Sequence, residues 1–238
     1  MKCYFHRSAA VFAFVLGMPV AGAAATPTPA PTHAPPESAT EVRFVAQVTS
    51  DLQNRFSTTE KAAAAGYFRY TPEDQTGAIS WVNTQNWQSE PTRPSQLWYD
   101  VGGRLIGADF SVLQSGSPSR PTVWGVSPSR WIDFSPAHVH FGIRTPSGLQ
   151  FGGVGPKTMA SVGGSVDRPT AADIYKFSKM QRWSVLGIPK PKSADDVAFV
   201  FPFPAIWDLQ VWLVPNPLGA FAEFNPNVHP SAAAKQQD

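Results

Sequence analysis

The sequence predicts an α+β fold: a single domain built on an antiparallel β-sheet, sandwich- or barrel-like, with a few flanking short helices. Short segments rich in aromatic and β-branched residues alternate with turn residues, which is typical of half-buried strands. Gly102-Gly103 separates two of these segments and is a two-residue hairpin signal. Hydroxyl residues followed three positions later by an acid predict helix N-termini. The 24 prolines and 18 glycines indicate long ordered loops between these elements.

Three helices are predicted. In the first, apolar residues recur at helical spacing over about 41–52, although the β-branched content of this segment is also compatible with a strand. The second is a short alanine-rich helix that stops at Gly66, and the third covers about 171–181. The capping pairs that begin them are Ser38 with Glu41, Ser57 with Glu60, and Thr170 with Asp173.

Five segments are predicted as strands from their aromatic and β-branched residues. Period-2 alternation along three of them gives one apolar face and one face that bears polar or titratable groups. Such alternation is also what any half-exposed antiparallel sheet shows, so a solvated outer face explains it equally well. The predicted strands are Ile79 to Val82, Gln96 to Val101, Arg104 to Leu113, Ala137 to Thr145 and Ile206 to Val214.

The first 25 residues read as a signal peptide. Lys2 and Arg7 precede an apolar run over 8–22, and small residues over 21–25 offer a cleavage site. The apolar run is short for a membrane span. The only cysteine, Cys3, lies in this leader, so the mature chain is expected to lack thiols and disulfides. We therefore expect a periplasmic or secreted protein.

The remaining chain divides into three parts. Residues 26–37 form a Pro/Thr-rich linker without large apolar side chains, residues 38–230 form one globular domain, and residues 231–238 form a disordered tail. No transmembrane segment is predicted in the mature chain. Loss of the leader lowers the formal net charge from +2 to zero and leaves no basic run, so nucleic acid is not an expected partner.

His138 and His140 are the most informative residues of the domain. On a strand, residues two apart share a face, so the two imidazoles project together while Val139, Phe141 and Ile143 point into a core. Imidazole is the commonest protein metal ligand and also the proton-transfer group suited to neutral pH. The pair therefore indicates a metal site, metal-free acid–base chemistry, or a pair of histidines that is either hydrogen-bonded within the fold or exposed at the surface, without a functional role.

The metal hypothesis needs further ligands. Two imidazoles form a half-site for a divalent transition metal, and we assign Asp208 as the third ligand, with Asp109, Glu223 and His229 as other sources. If the strands are neighbours in one sheet, the same polar face carries a small-molecule site. The residues assigned to that ligand site are Asp109, Gln210 and Trp212.

Other catalytic patterns do not appear, so no catalytic residue is assigned. The sequence has no nucleophile-elbow motif, no zinc-protease motif and no dinucleotide fingerprint. Its eight tryptophans admit a function of another class, because exposed indoles stack on sugar rings or apolar ligands. Buried indoles would simply fill the core.

The C-terminal segment resembles the terminal signature of an uncharacterised family of secreted bacterial proteins. The segment reads WDLQVWLVPNPLGAF over 207–221, followed by NPNV over 225–228, and three earlier segments, over 65–67, 81–83 and 93–110, are similar to that family as well. The resemblance implies no activity. Histidines that the more numerous branch of the family carries are replaced here by Ser80, Ile206 and Gln210.

Together these features predict an exported protein that binds or processes a small ligand at a His138/His140 site, with a divalent transition metal as a candidate cofactor. The alternative is a non-catalytic recognition or envelope-associated module that uses exposed aromatic residues.

Overall fold

The computed structural model describes residues 35–234, within which the chain forms four α-helices. The capping boxes at Ser38 and Thr170 both form, while the cap of the second helix is Thr58 rather than Ser57. The first segment is helical, so its alternative as a strand is wrong. The helices are α1 (Ala39–Arg55), α2 (Thr59–Ala64), α3 (Pro156–Ser161) and α4 (Ala171–Ser178).

Nine strands form two antiparallel sheets, which confirms the predicted α+β class with flanking short helices. The larger sheet has the order β1-β2-β3-β4-β9-β5 and the smaller has the order β7-β6-β8. The arrangement is sandwich-like. The strands are β1 (Phe68–Glu73), β2 (Ile79–Val82), β3 (Gln96–Tyr99), β4 (Leu105–Leu113), β5 (Ile132–Phe134), β6 (His138–Thr145), β7 (Gly148–Val154), β8 (Val197–Phe203) and β9 (Ile206–Trp212).

All five predicted strands are present, with ends that shift by two residues at most. Four further strands, β1, β5, β7 and β8, were not predicted. Pro72 interrupts the pattern of β1, Pro202 interrupts that of β8, and three glycines dilute that of β7. The proline and glycine content of these segments therefore argued against strands, which form because pairing with neighbouring strands stabilises them.

Each sheet packs helices on one face. The buried residues Phe44, Val48 and Leu52 of α1 cover the large sheet, where Phe110 and Leu209 are fully buried. On the small sheet, one face of β6 packs against α3, α4 and a 3-10 turn over 181–186. These two cores use the helical and strand periodicities that the sequence displays.

The other faces of the two sheets meet. Phe201 and Phe203 of β8 share a buried cluster with Tyr70 of β1 and Ile206 of β9. Strands β8 and β9 are consecutive in the chain yet belong to different sheets, so the chain crosses between layers at residues 204–205. The layer between the sheets therefore receives side chains from β1, β6, β8 and β9.

The domain extends beyond both predicted boundaries. Arg130 donates to the carbonyl oxygens of Pro35 and Pro36 at 2.7 and 3.1 Å, so the end of the predicted linker packs on the domain. The predicted disordered tail begins with residues that also pack: the backbone nitrogen of Ser231 donates to Glu73 at 2.7 Å, and Ala234 is buried. Long-range hydrogen bonds of this kind leave no local sequence signal.

Arg130 also forms a buried ion pair with Glu41 of α1, at 3.1 Å. Burial raises the pKa of Glu41, but hydrogen bonds from Arg130, Ser38 and Ser127 outweigh burial and hold that pKa at about 2. The pair fixes the N-terminal end of α1 to the 3-10 turn over 128–130.

Within residues 35–234, none of the helices has the length and apolar character that crossing a bilayer requires. The predicted signal peptide and most of the predicted linker lie outside the described residues, as do residues 235–238.

Candidate functional site

The faces of β6 are those that the alternation predicts. Val139, Phe141 and Ile143 are at most 1 % exposed and pack against the helices, so their assignment to a core is confirmed. His138 and His140 lie on the opposite face. That face is not a solvated concavity: both histidines are buried in the layer between the sheets, because the large sheet covers them.

The two imidazoles hydrogen-bond to each other through their Nε2 atoms at 3.0 Å. Nδ1 of His138 lies 3.1 Å from the carbonyl oxygen of Pro136. Because a carbonyl oxygen only accepts, Nδ1 of neutral His138 carries the proton and its Nε2 is an acceptor. His140 therefore donates from Nε2. The backbone thus fixes the tautomer of His138 and, through it, the tautomer of His140.

Aromatic rings enclose the pair. The ring of His138 stacks on Phe203 at 4.6 Å, and that of His140 stacks on Phe201 at 5.6 Å, in agreement with the cross-strand register of β6 and β8. Tyr70 stands edge-on to His140, at 4.9 Å between ring centroids. Burial lowers the pKa of His138, and it lowers the pKa of His140 well below the usual value. Both imidazoles are consequently neutral at pH 7.

The large sheet contributes a second set of polar groups to the same layer. Asp109 of β4 lies opposite Gln210 of β9, and Ser111 lies opposite Asp208. Alternation places these four residues on one face, and this is the face of Ile206, which contacts the small sheet. The structure therefore brings Asp109 and Asp208 to the layer of the histidines, although β6 does not neighbour β4 or β9 as the sequence reasoning assumed.

Tyr70 connects the two sets. Its hydroxyl donates to Oε1 of Gln96, which lies opposite Asp109 in the strand register. Burial raises the pKa of Tyr70 well above its usual value, and the negative charges of Asp109 and Asp208 raise it further. Six polar side chains, each at most 8 % exposed, thus occupy one layer. We call them the inter-sheet cluster: Tyr70, Gln96, Asp109, His138, His140 and Asp208.

The structure places the three residues assigned to the ligand site in different surroundings. Trp212 is buried, donates from Nε1 to the carbonyl oxygen of Ala222 at 2.7 Å, and packs edge-on against Trp98 at 5.3 Å. Its observed contacts are those of a packing residue. Gln210 is half-buried beside Asp109 at the edge of the cluster. Asp109 itself accepts a hydrogen bond from Nε1 of Trp98 at 2.8 Å.

The predicted three-ligand metal site does not assemble. Within residues 35–234, no three or more His, Cys, Asp or Glu side chains are grouped so that they could hold a metal ion. Asp208 shares the layer with His138 and His140 without completing such a group. The other suggested ligands, Glu223 and His229, are exposed.

Sequence reasoning missed Tyr70 and Gln96. Tyr70 lies in β1, where Thr71-Pro72 obscures the strand, and Gln96 is the first residue of a strand whose polar face was not considered. A signal for Tyr70 was available. Phe68 and Tyr70 are two residues apart before Pro72, so a strand there would place both aromatic rings on one of its faces.

None of the tryptophans is exposed in the part of the chain that the structure describes. All eight lie within residues 35–234, and each is buried or half-buried. Trp131 and Trp183, for example, are 1 % exposed. Stacking on sugars or envelope components through exposed indoles therefore has no support in this part of the chain.

No protein-family model, curated protein or solved structure matches this chain. The resemblance to a family of secreted bacterial proteins stays a prediction.

Proposed function

We propose that the protein binds or processes a small ligand at the inter-sheet cluster, and that a divalent transition metal held by His138 and His140 belongs to that site. The observation that carries the proposal is the convergence of the two Nε2 atoms to 3.0 Å inside a buried polar layer. Burying polar groups costs folding free energy, so a layer with two imidazoles, two carboxylates, a phenol and an amide is typical of a binding or catalytic site.

Three features of the pair suit a metal. Neutral imidazole is the form that binds metal ions, and burial favours the neutral form of both rings. The Nδ1 proton of His138 is held by a backbone carbonyl, as is usual for metal-ligating histidines. Metal–nitrogen bonds of about 2.0–2.1 Å in a tetrahedral site separate two nitrogen ligands by about 3.4 Å. The observed separation is therefore a few tenths of an ångström short of that value.

Binding would change the His140 tautomer. Its Nε2 donates a proton to His138 in the present arrangement, so coordination through Nε2 requires this proton to leave or to move to Nδ1. Catalytic zinc sites have three protein ligands and one open position, so with two imidazoles the remaining positions would be filled by substrate or water. Asp109, Asp208 and Tyr70 stand in the same layer and supply charge and hydrogen bonding around a bound ligand.

A second candidate is metal-free proton transfer. The hydrogen-bonded chain from the Pro136 carbonyl through His138 to His140 favours it, because this chain already links two imidazoles of fixed tautomer. Metal titration separates the two candidates.

Chelator-treated wild-type protein is expected to bind one equivalent of Zn²⁺ or Co²⁺ in a calorimetric or absorbance titration. His138→Gln and His140→Gln should each weaken binding about 100-fold or more, since loss of a metal ligand costs at least as much as loss of an outer partner. His229→Gln is the matched control, because this exposed histidine lies outside the inter-sheet cluster and its loss should change nothing. A titration without stoichiometric binding would refute metal binding by the histidine pair and leave metal-free proton transfer as the candidate function.

The protein is proposed to be exported to the periplasm or secreted. The support is the sequence of the first 25 residues, with two basic residues, an apolar run and small residues at its end. Exported protein should begin between about Ala23 and Thr26, lack Cys3, and be indifferent to reductant. Intact-mass measurement of protein recovered outside the cytoplasm tests this, and a retained leader or a lipid adduct would contradict it.

A further inference from the structure

A pocket of about 230 Å³ opens beside the inter-sheet cluster. Its walls are mainly apolar and include Trp87, Leu113, Val166 and Phe203. Trp87 and Phe203 contact each other, with ring centroids 4.6 Å apart, and because Phe203 is only 2 % exposed, the half-buried Trp87 supplies the aromatic surface of the pocket. Small-molecule sites are typically concave and apolar with a few polar groups, and this pocket has that composition in a volume below the usual range of about 300–1,000 Å³, which suits a fragment-sized ligand.

The pocket and His138 share a wall. One face of the Phe203 ring stacks on the His138 imidazole at 4.6 Å, with an angle of 18° between the ring planes. Ala137, which directly precedes His138, also lines the pocket. His138 is 8 % exposed whereas His140 is 3 % exposed, so His138 is the member of the pair nearer to solvent. A ligand in the pocket would lie one aromatic layer away from the imidazole pair.

The ionisable side chain that lines the pocket is acidic. Among the residues that line it, Asp167 is the ionisable one, and it is exposed at the rim. A single carboxylate beside an apolar aromatic wall attracts a cation and repels an anion, and aromatic faces themselves attract cations.

We propose that this pocket binds the aromatic ring of a small organic cation, an arylalkylamine in its ammonium form, with the ring on Trp87 and the ammonium group at Asp167. The inference rests on the proposed function in assigning this pocket and the histidine pair to one ligand site. The pocket volume limits the ligand to one or two rings.

The test uses three probes of matched size: 2-phenylethylamine, 2-phenylethanol and phenylacetate. Binding to chelator-treated protein is followed by saturation-transfer NMR and calorimetry, so that the result does not depend on whether a metal binds. The protein should bind 2-phenylethylamine with a dissociation constant on the order of 1 mM, which is typical of a fragment of this size. The alcohol should bind about threefold to fivefold more weakly, and phenylacetate more weakly still, because Asp167 repels it.

Two variants locate the probe. Asp167→Asn should weaken amine binding about threefold to fivefold and leave alcohol binding unchanged, while Asp195→Asn, an exposed carboxylate elsewhere, should alter neither. Trp87→Leu should abolish binding of all three probes, with circular dichroism confirming the fold. Equal binding of the amine and phenylacetate, no saturable binding of any probe, or unchanged binding in folded Trp87→Leu would overturn the inference. Metal titration can succeed or fail independently of these results.

Discussion

Val139→Asp is expected to prevent accumulation of folded protein, with a loss of at least about 4 kcal/mol in the free energy of unfolding. Val139 is fully buried on the helix-facing side of β6, in a cluster with Phe141 and Ile143. That cluster is built from apolar side chains, so a carboxylate there would be neither hydrated nor paired. Solubility and urea unfolding measure the effect.

Leu149→Asp is the matched control for this prediction. Leu149 lies on the neighbouring strand β7 but is 37 % exposed, so a carboxylate there remains in water. Its effect should stay within about half a kcal/mol. Folded, stable Val139→Asp protein would mean that the two faces of β6 are reversed, and the assignment of His138 and His140 to the inter-sheet layer would be wrong with it.

Metal-free protein should lose stability as the pH falls below about 6.5. Burial lowers the folded-state pKa of both histidines, and that of His140 well below the unfolded value. The stability contribution is therefore fully present above the unfolded pKa and is lost as the pH falls towards the folded pKa. We therefore expect the free energy of unfolding to fall between pH 7.5 and pH 5.0, with the larger part of the loss from His140 and a further part from His138.

Urea unfolding at pH 7.5, 6.0 and 5.0 measures this loss. Glu41, whose pKa is held at about 2, contributes a loss only below about pH 4.5, which lies outside this window. His140→Gln should be less stable at pH 7.5, because a buried hydrogen bond is lost, yet should depend less on pH. His229→Gln should behave like wild type. An equal pH dependence in His140→Gln would show that His140 is not the titrating group.

The sequence predicts which side chains share a face of a strand, but it does not predict which strands pair or which sheet covers that face. Alternation along β6 places Val139 and Phe141 in a core and the histidines together, because side-chain direction in a strand is a local property. Which sheet a strand joins is not local. The histidine strand pairs with β7 and β8, and the large sheet then buries the polar face that alternation alone would leave in water.

The same limit explains the missed residues. Tyr70 contacts His140 across the layer from 70 residues earlier in the chain, and Arg130 contacts Pro35 across 95 residues. Neither contact has a local signature. Capping boxes, by contrast, operate within four residues, and the boxes at Ser38 and Thr170 were predicted and confirmed.

The central claim is that the Nε2 atoms of His138 and His140 bind one metal ion. Electron paramagnetic resonance of protein loaded with one equivalent of Cu²⁺ tests this, because hyperfine coupling to the copper counts the coordinating nitrogens. The account predicts coupling to two imidazole nitrogens in wild-type protein, and to one in His140→Gln. Copper that binds without imidazole coupling, or an identical spectrum when both histidines are replaced, would contradict it.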